Sequence, residues 1–244
     1  MSYHSIVERG GKMAFDMIID NTYALSDKKV YMPTRPAIPP NTKRMQYIEI
    51  PGRDGTVSMF DGYDDRPFPI DFNIYDGTNV NKKLREVNPI FSNCKTIKFT
   101  DDPEIYYKVK EFKISDKERV FDKAYEFSAE VKIEPFDYLV EGSKVITLTS
   151  STTLVNPGTY YSEPTLKIYG SGTINMSIGS YSFQVTYVSG YVQINSALLE
   201  CYKDTDPLGN EMKGSFPLFV PGSNKITLSA TITKVELVPN WRFL

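Results

Sequence analysis

Between Phe68 and Ile74 the chain alternates strictly: Phe68, Ile70, Phe72 and Ile74 are separated by Pro69, Asp71 and Asn73. A period of two sends all four apolar side chains to one side of an extended backbone, the pattern of a strand with one buried face. The period returns in Tyr125, Phe127, Ala129, Val131 and Ile133, and then in shorter runs almost to the C-terminus. Aromatic residues make up 13% of the chain and 17 of them are tyrosines, a composition that suits pleated, half-buried surfaces better than helices. The expected fold class is mainly β.

One stretch departs from this period. Val80, Leu84, Val87 and Phe91 recur at helical spacing, with Thr78 or Asn79 available as a cap, and Pro89 predicts that the helix kinks or ends near Asn88. Upstream, Met17-Ile18-Ile19 followed by Asp20-Asn21 reads as a strand closed by a turn. Pro33, Pro36, Pro39 and Pro40 deny a helix or a central strand to residues 30–42. That stretch is expected to be extended, either as a rigid connector or as an arm that reaches a neighbouring subunit. Met45–Ile50, the turn Pro51-Gly52-Arg53-Asp54-Gly55, and Thr56–Phe60 then read as strand, turn and strand.

The composition changes after Gly142. Charge becomes sparse, hydroxyls crowd Thr147–Thr153, and short apolar runs end at Gly170, Gly179-Ser180, Ser189-Gly190 and Asn195. Strands at roughly 8–12 residue spacing between turn signals predict a β-sandwich. Two domains are expected, an N-terminal one over 13–145 and a C-terminal one over 146–244, with residues 1–12 as an extension.

Charge and chemistry narrow the function by exclusion. The net charge is −2 with both signs interleaved, so no basic field exists to hold a phosphate backbone, and direct nucleic-acid binding is not expected. No segment approaches the roughly 20 apolar residues of a membrane span, and no leader sequence is evident, which predicts synthesis in a cytoplasm without an export address. His4, the sole histidine, sits in the patternless N-terminal segment, where no rigid frame would hold it for catalysis. Cys94 and Cys201 are too few for a zinc cage and read as buried thiols rather than a bridge. Two acidic groups, Asp61, Asp64, Asp65 and Asp101, Asp102, Glu104, lack the spacing of a calcium loop and read as solvated turns. No phosphate-cradling motif is present. The expectation is therefore no catalytic residue, no metal and no cofactor. Tyrosines of the C-terminal half and Trp241 leave two readings open: core edge and subunit contacts, or rings that stack on sugars, for which Trp241, Tyr181 and Tyr191 are the candidates. A saccharide-binding module acting in cell-wall adhesion is thus the alternative function.

The order of landmarks carries a resemblance. Ile50-Pro51-Gly52-Arg53-Asp54-Gly55, Asp101-Asp102-Pro103 with Tyr106-Tyr107-Lys108, and Glu134-Pro135-Phe136-Asp137-Tyr138 mark the first half. Asn156-Pro157-Gly158 with Ser162-Glu163-Pro164, Gly214–Leu218 leading into Pro221-Gly222-Ser223-Asn224, and Val238-Pro239-Asn240-Trp241-Arg242 mark the second. In this order, over residues 13–244, the chain resembles the distal tail proteins of siphophages. The resemblance implies an N-terminal β-sandwich belt domain with one helix and extended arms, and a C-terminal galectin-like sandwich. It implies a homo-hexameric ring, with two rings able to stack, in the tail tip of the virion after synthesis in the bacterial host cytoplasm. That ring would join the tail-tube protein to a tail-associated hub protein, support receptor-binding proteins in host adsorption, and do no catalysis. Pro33, Pro36, Pro39 and Pro40 are the candidate inter-subunit arm.

Overall fold

The computed structural model describes residues 15–75, 79–121 and 124–244, with 116–121 described by backbone alone. The fold is mainly β with one α-helix, as the alternation predicts. His4 and Thr78 lie outside the described residues. The chain divides into two compact units, the first ending at Pro135 and the second beginning at Phe136. That division precedes position 145, because Asp137–Leu139 pairs with the last strand of the chain, Asp137 with Phe243 and Tyr138 with Arg242.

The first unit is built on one antiparallel sheet. Its strands are β1 (Met17–Ile19), β2 (Tyr23–Ala24), β3 (Val30–Tyr31), β6 (Arg66–Tyr75), β7 (Thr96–Phe99), β8 (Asp102–Phe121) and β9 (Ala124–Ile133), in the order β2-β1-β7-β8-β9-β6-β3. The inward residues of β6, Phe68, Ile70, Phe72 and Ile74, are all buried. Helix α1 (Val80–Ser92) buries Val80, Leu84, Val87 and Phe91 in the same core. The Asn79 side chain caps it by accepting from the Lys82 amide at 3.0 Å.

The helix does not stop at Asn88. Pro89 lies inside it, and Phe91, fully buried, stacks on Phe112 at 4.8 Å and meets Phe72 at 5.2 Å. The ring contacts hold the last turn against the loss of one backbone hydrogen bond. The Pro89 carbonyl still accepts from the Asn93 amide and side chain, at 3.1 and 2.9 Å.

Two further strands, β4 (Lys43–Glu49) and β5 (Thr56–Tyr63), form a separate two-stranded sheet.

The second unit comprises β10 (Asp137–Leu139), β11 (Ile146–Leu148), β12 (Thr152–Asn156), β13 (Thr165–Ile178), β14 (Tyr181–Asn195), β15 (Glu200–Lys203), β16 (Asp206–Pro207), β17 (Met212–Gly214), β18 (Gly222–Leu228), β19 (Ile232–Val238) and β20 (Arg242–Phe243). The expected strand ends at Gly170 and at Ser189-Gly190 are not ends. Gly170 faces Gly190 and Ser171 faces Ser189 in the middle of one long hairpin, β13–β14. Glycine inside a ladder marks a bend as readily as a turn. Before the bend β13 pairs with β19, and beyond it with β18, so one continuous sheet curls over its own core. Leu166, Ile168, Val192 and Leu237 from one arm, and Ile174, Met176, Phe183 and Ile226 from the other, share that core.

Buried polar groups close this unit. Asn156 donates to the carbonyls of Tyr160 and Phe219, at 3.2 and 3.1 Å, and accepts from the Gly158 amide at 2.9 Å. Arg242, 5% exposed, donates to the Tyr161 carbonyl and to Glu163, at 2.7 and 2.8 Å, and lies over the Phe136 ring at 4.1 Å. A Cβ on Gly158 would come within 2.1 Å of the Arg242 carbonyl oxygen. Gly158→Ala should therefore cost this unit roughly 1–3 kcal/mol, as overpacking does. Urea unfolding followed by the fluorescence of Trp241, the sole tryptophan, checks this; an unshifted midpoint would show that the closure relaxes freely.

Candidate functional site

The β4–β5 hairpin follows from its sequence and yet buries no residue of either strand among the described residues. Gly52 and Gly55 take positive φ of 80° and 74° in the turn, and the Arg53 amide closes it on the Ile50 carbonyl at 3.1 Å. At the base, Arg44 donates to the Asp61 carbonyl at 2.7 Å and to its carboxylate at 3.2 Å. The register pairs Met45 with Phe60, Gln46 with Met59, Tyr47 with Ser58 and Ile48 with Val57. Neighbouring residues of a strand point to opposite faces, so Tyr47 and Phe60 mark one face and Ile48 and Met59 the other.

No residue of either strand is buried. Tyr47 is 68% exposed, and Ile48, Ile50, Met59 and Phe60 between 44% and 48%. A two-stranded ribbon is marginal in water by itself, and this one carries apolar groups on both faces and two open edges.

Elsewhere in this unit the open edge is blocked. β3 pairs with Asn73 and Ile74 of β6, and among the described residues its ladder does not extend to Pro67–Asp71. Because β6 keeps a continuous ladder with β9, Pro67 and Pro69 turn their donor-less nitrogens to the open edge. The proline-rich segment lies against its own unit. Arg35 stacks over Phe99 at 3.5 Å and pairs with Asp101 at 3.0 Å, Ile38 packs on the core, and the Pro39 carbonyl accepts from Arg66 at 3.5 Å. Pro33 and Pro40 are exposed, Pro36 and Pro39 half-buried. The segment that carries these four prolines leads directly into β4. The signal for the hairpin in the sequence is a strand–turn–strand without the polar alternation of a one-faced ribbon.

The first acidic group is held by cations of the protein, and Asp101 of the second by Arg35. Asp61 and Asp64 face Arg44, at 3.2 and 3.9 Å, and Asp65 faces Lys110 and Lys132, at 2.8 and 3.8 Å. Among the described residues no group of three or more His, Cys, Asp or Glu is placed to hold a metal ion, and no helix is long and apolar enough to cross a membrane.

The three sugar-contact candidates are not brought together. Trp241 is half-buried in the C-terminal closure, with its backbone nitrogen 2.6 Å from where a Gly142 Cβ would stand. Tyr181 starts β14 at the hairpin turn, opposite Ile178. Tyr191, mid-strand, faces Tyr169 with ring centroids 5.9 Å apart, among lysines.

Residues 24–132 match the family model of the phage tail protein RIFT-related domain. That match spans nearly all of the first unit's sheet and includes the hairpin. No curated protein matches the whole sequence at a significant level. Among solved structures, the chain is similar to the Dit protein of phage SPP1, described as a paradigm of the hub adsorption apparatus in phages infecting Gram-positive bacteria. The TM-score is 0.57 at 16% identity, over 91% of this chain and 97% of that one. A chain of the phage p2 baseplate in its activated conformation with strontium gives 0.51 at 9% identity, over 91% and 96%. The calcium form of that baseplate gives 0.50 at 9%, over the same shares. At these identities the likeness is one of fold. The resemblance to siphophage distal tail proteins is borne out by both comparisons.

Cys94 and Cys201 are free and buried, one in each unit. Burial first, then the Asp20 carboxylate, pushes the Cys94 thiol up to about 12, and burial pushes Cys201 up to about 11. Neither forms the reactive thiolate near neutral pH. Ellman's reagent at pH 8 should leave both thiols nearly untouched until urea is added and then titrate both; rapid reaction of the folded protein would contradict their burial.

Proposed function

We propose that the chain is a structural hub of a bacteriophage tail tip, in which copies close into a ring through the β4–β5 hairpin. The hairpin carries this reading, because Tyr47, Ile48, Met59 and Phe60 stand exposed among the described residues. The tail-domain match supports the setting, and the fold likeness to a hub protein and to baseplate chains supports the place in the tail. A hairpin that docks on a different surface of the next copy makes a heterologous contact, and such contacts give closed rings when the rotation closes. The ring is read as hexameric, able to stack in pairs, made in the host cytoplasm and carried in the virion. It joins the tail-tube protein to a tail-associated hub protein, supports receptor-binding proteins during adsorption, and performs no catalysis.

Both hairpin faces are already in water, so replacing Ile48 and Phe60 by lysine should change the stability of the single chain by only about 0.5 kcal/mol per site. The same double variant should abolish assembly. Light scattering and negative-stain imaging are expected to give closed rings for the wild type and monomers with an unchanged circular dichroism spectrum for the variant. Monomers of the wild type at every concentration, with no ring in the virion, would overturn the reading.

A further inference from the structure

The curled sheet of the second unit has two edges, and they are not alike. One is formed by β16 and β17, the other by β11 and β12. The first edge is short and interrupted. Its strands are Asp206-Pro207 and Met212-Lys213-Gly214, with a φ of +106° at the glycine. Proline, lysine and a kinked end are devices that keep a strand edge from pairing with another chain. β11 and β12 contain none of them. From Val145 to Ser162 the chain carries no charged residue, and β12 is the longest of the four edge strands.

The hydrogen bonds fix which groups of β12 face outward. In an antiparallel pair, two opposed residues either exchange both main-chain bonds or turn both away from each other. Thr153 stands opposite Lys225 of β18, and the Lys225 carbonyl accepts from the Gly179 amide, on the β13 side, at 2.9 Å. Lys225 therefore turns away from β12, and Thr153 turns its N–H and C=O to the open side. The period of two adds Val155 and, directly before the strand, Ser151. Leu228 does the reverse of Lys225: its amide points to the β12 side and takes the Ser151 hydroxyl at 3.0 Å. Among the described residues no strand lies on the open side of β12. Thr153 is exposed and Val155 is 61% exposed, so this edge stands in water.

A two-fold axis sets each residue of an edge near its own counterpart, so a charged edge repels its copy and an uncharged edge does not. β12 meets this condition. We propose that β12 pairs antiparallel with the β12 of a second copy about a two-fold axis at Thr153, which continues the curled sheet from one chain into the next. Thr153 then faces itself, a favourable cross-strand pair, and Val155 of each copy faces Ser151 of the other. Every outward main-chain group from Ser151 to Val155 gains a partner in this register. Lys225, one strand behind Thr153, stands about 14 Å from its counterpart, three strand spacings away and beyond a Debye length of about 8 Å. A strand from a different protein would be selected by charges or side-chain pockets along the edge, and Ser151–Val155 offer no charge to select it. The contact is isologous and so distinct from ring closure, which uses a heterologous one.

The full-length chain carrying Ile48→Lys and Phe60→Lys tests this, because those changes are chosen to remove ring closure and leave β12 untouched. Sedimentation equilibrium is expected to show reversible dimers, half-formed at roughly 10–500 µM, as suits a contact smaller than a standard interface. Adding Thr153→Lys sets two ammoniums face to face on the axis. It should weaken the dimer at least tenfold while the melting midpoint stays within about 2 °C, since the site is exposed. Val155→Pro removes an outward N–H that β18 does not use, and should weaken the dimer as much. In the same background Thr153→Cys, with Cα atoms about 5.5 Å apart across the axis, should be joined to its copy with diamide as oxidant at least tenfold faster than Lys225→Cys. Monomers at millimolar concentration overturn the pairing, as do dimers that withstand Thr153→Lys or equal cross-linking of the two cysteines. The wild type separates this contact from the ring. Dimers without rings would sink ring closure and leave the β12 contact standing, and rings whose hairpin variant stays monomeric would do the reverse.

Discussion

A two-stranded ribbon cannot bury the side chains it carries, because it has no second layer and both edges lack partners. The β4–β5 hairpin places Tyr47, Ile48, Met59 and Phe60 under that constraint, and much of the first unit is arranged around it. Arg35 on Phe99, Ile38 on the core and Arg66 on the Pro39 carbonyl fix the segment from which the hairpin springs. Pro67 and Pro69 make the nearby sheet edge a poor acceptor for an added strand. Pairing is discouraged along one edge and left open on the ribbon.

The second unit meets a different constraint. A sheet long enough to include β13 and β14 must curl to cover its own apolar side, and Gly170 opposite Gly190 gives it the place to do so. A Cβ on Gly170 would come within 2.4 Å of the Thr231 carbonyl oxygen, so the close approach of β19 at the bend needs glycine there. The register step one turn further on is what turns Tyr187 outward. Core formation and the presentation of that ring are consequences of one bend.

This explains which parts of the molecule were legible in the sequence. The β6 alternation and the helical period of Val80, Leu84, Val87 and Phe91 map directly onto burial, because each repeats a single local geometry. Pro89 was misleading since the Phe91 ring contacts, which hold the helix past it, come from residues distant in the chain. Gly170 and Ser189-Gly190 read as turns because a bend and a turn use the same residues; only the ladder across them tells the two apart. Of the ring residues, Tyr191 carried a readable signal as an outward position in an alternating run. Trp241 did not, as its half-burial depends on the distant Gly142. Tyr187 had none, because its exposure comes from a register step and not from any local pattern.

The two units also differ in what they expose, and the difference bears on what each can bind. Tyr47, Ile48, Met59 and Phe60 are apolar groups without a local ammonium to cover them, and water is driven off such surfaces by another protein surface of similar kind. Tyr169 and Tyr191 have their ring faces covered by Lys167 and Lys234, so little apolar area remains to be desolvated there. A protein partner would have to strip those ammoniums of water without offering them a buried counter-charge, which is costly. The two units thus differ in the chemistry that each leaves uncovered.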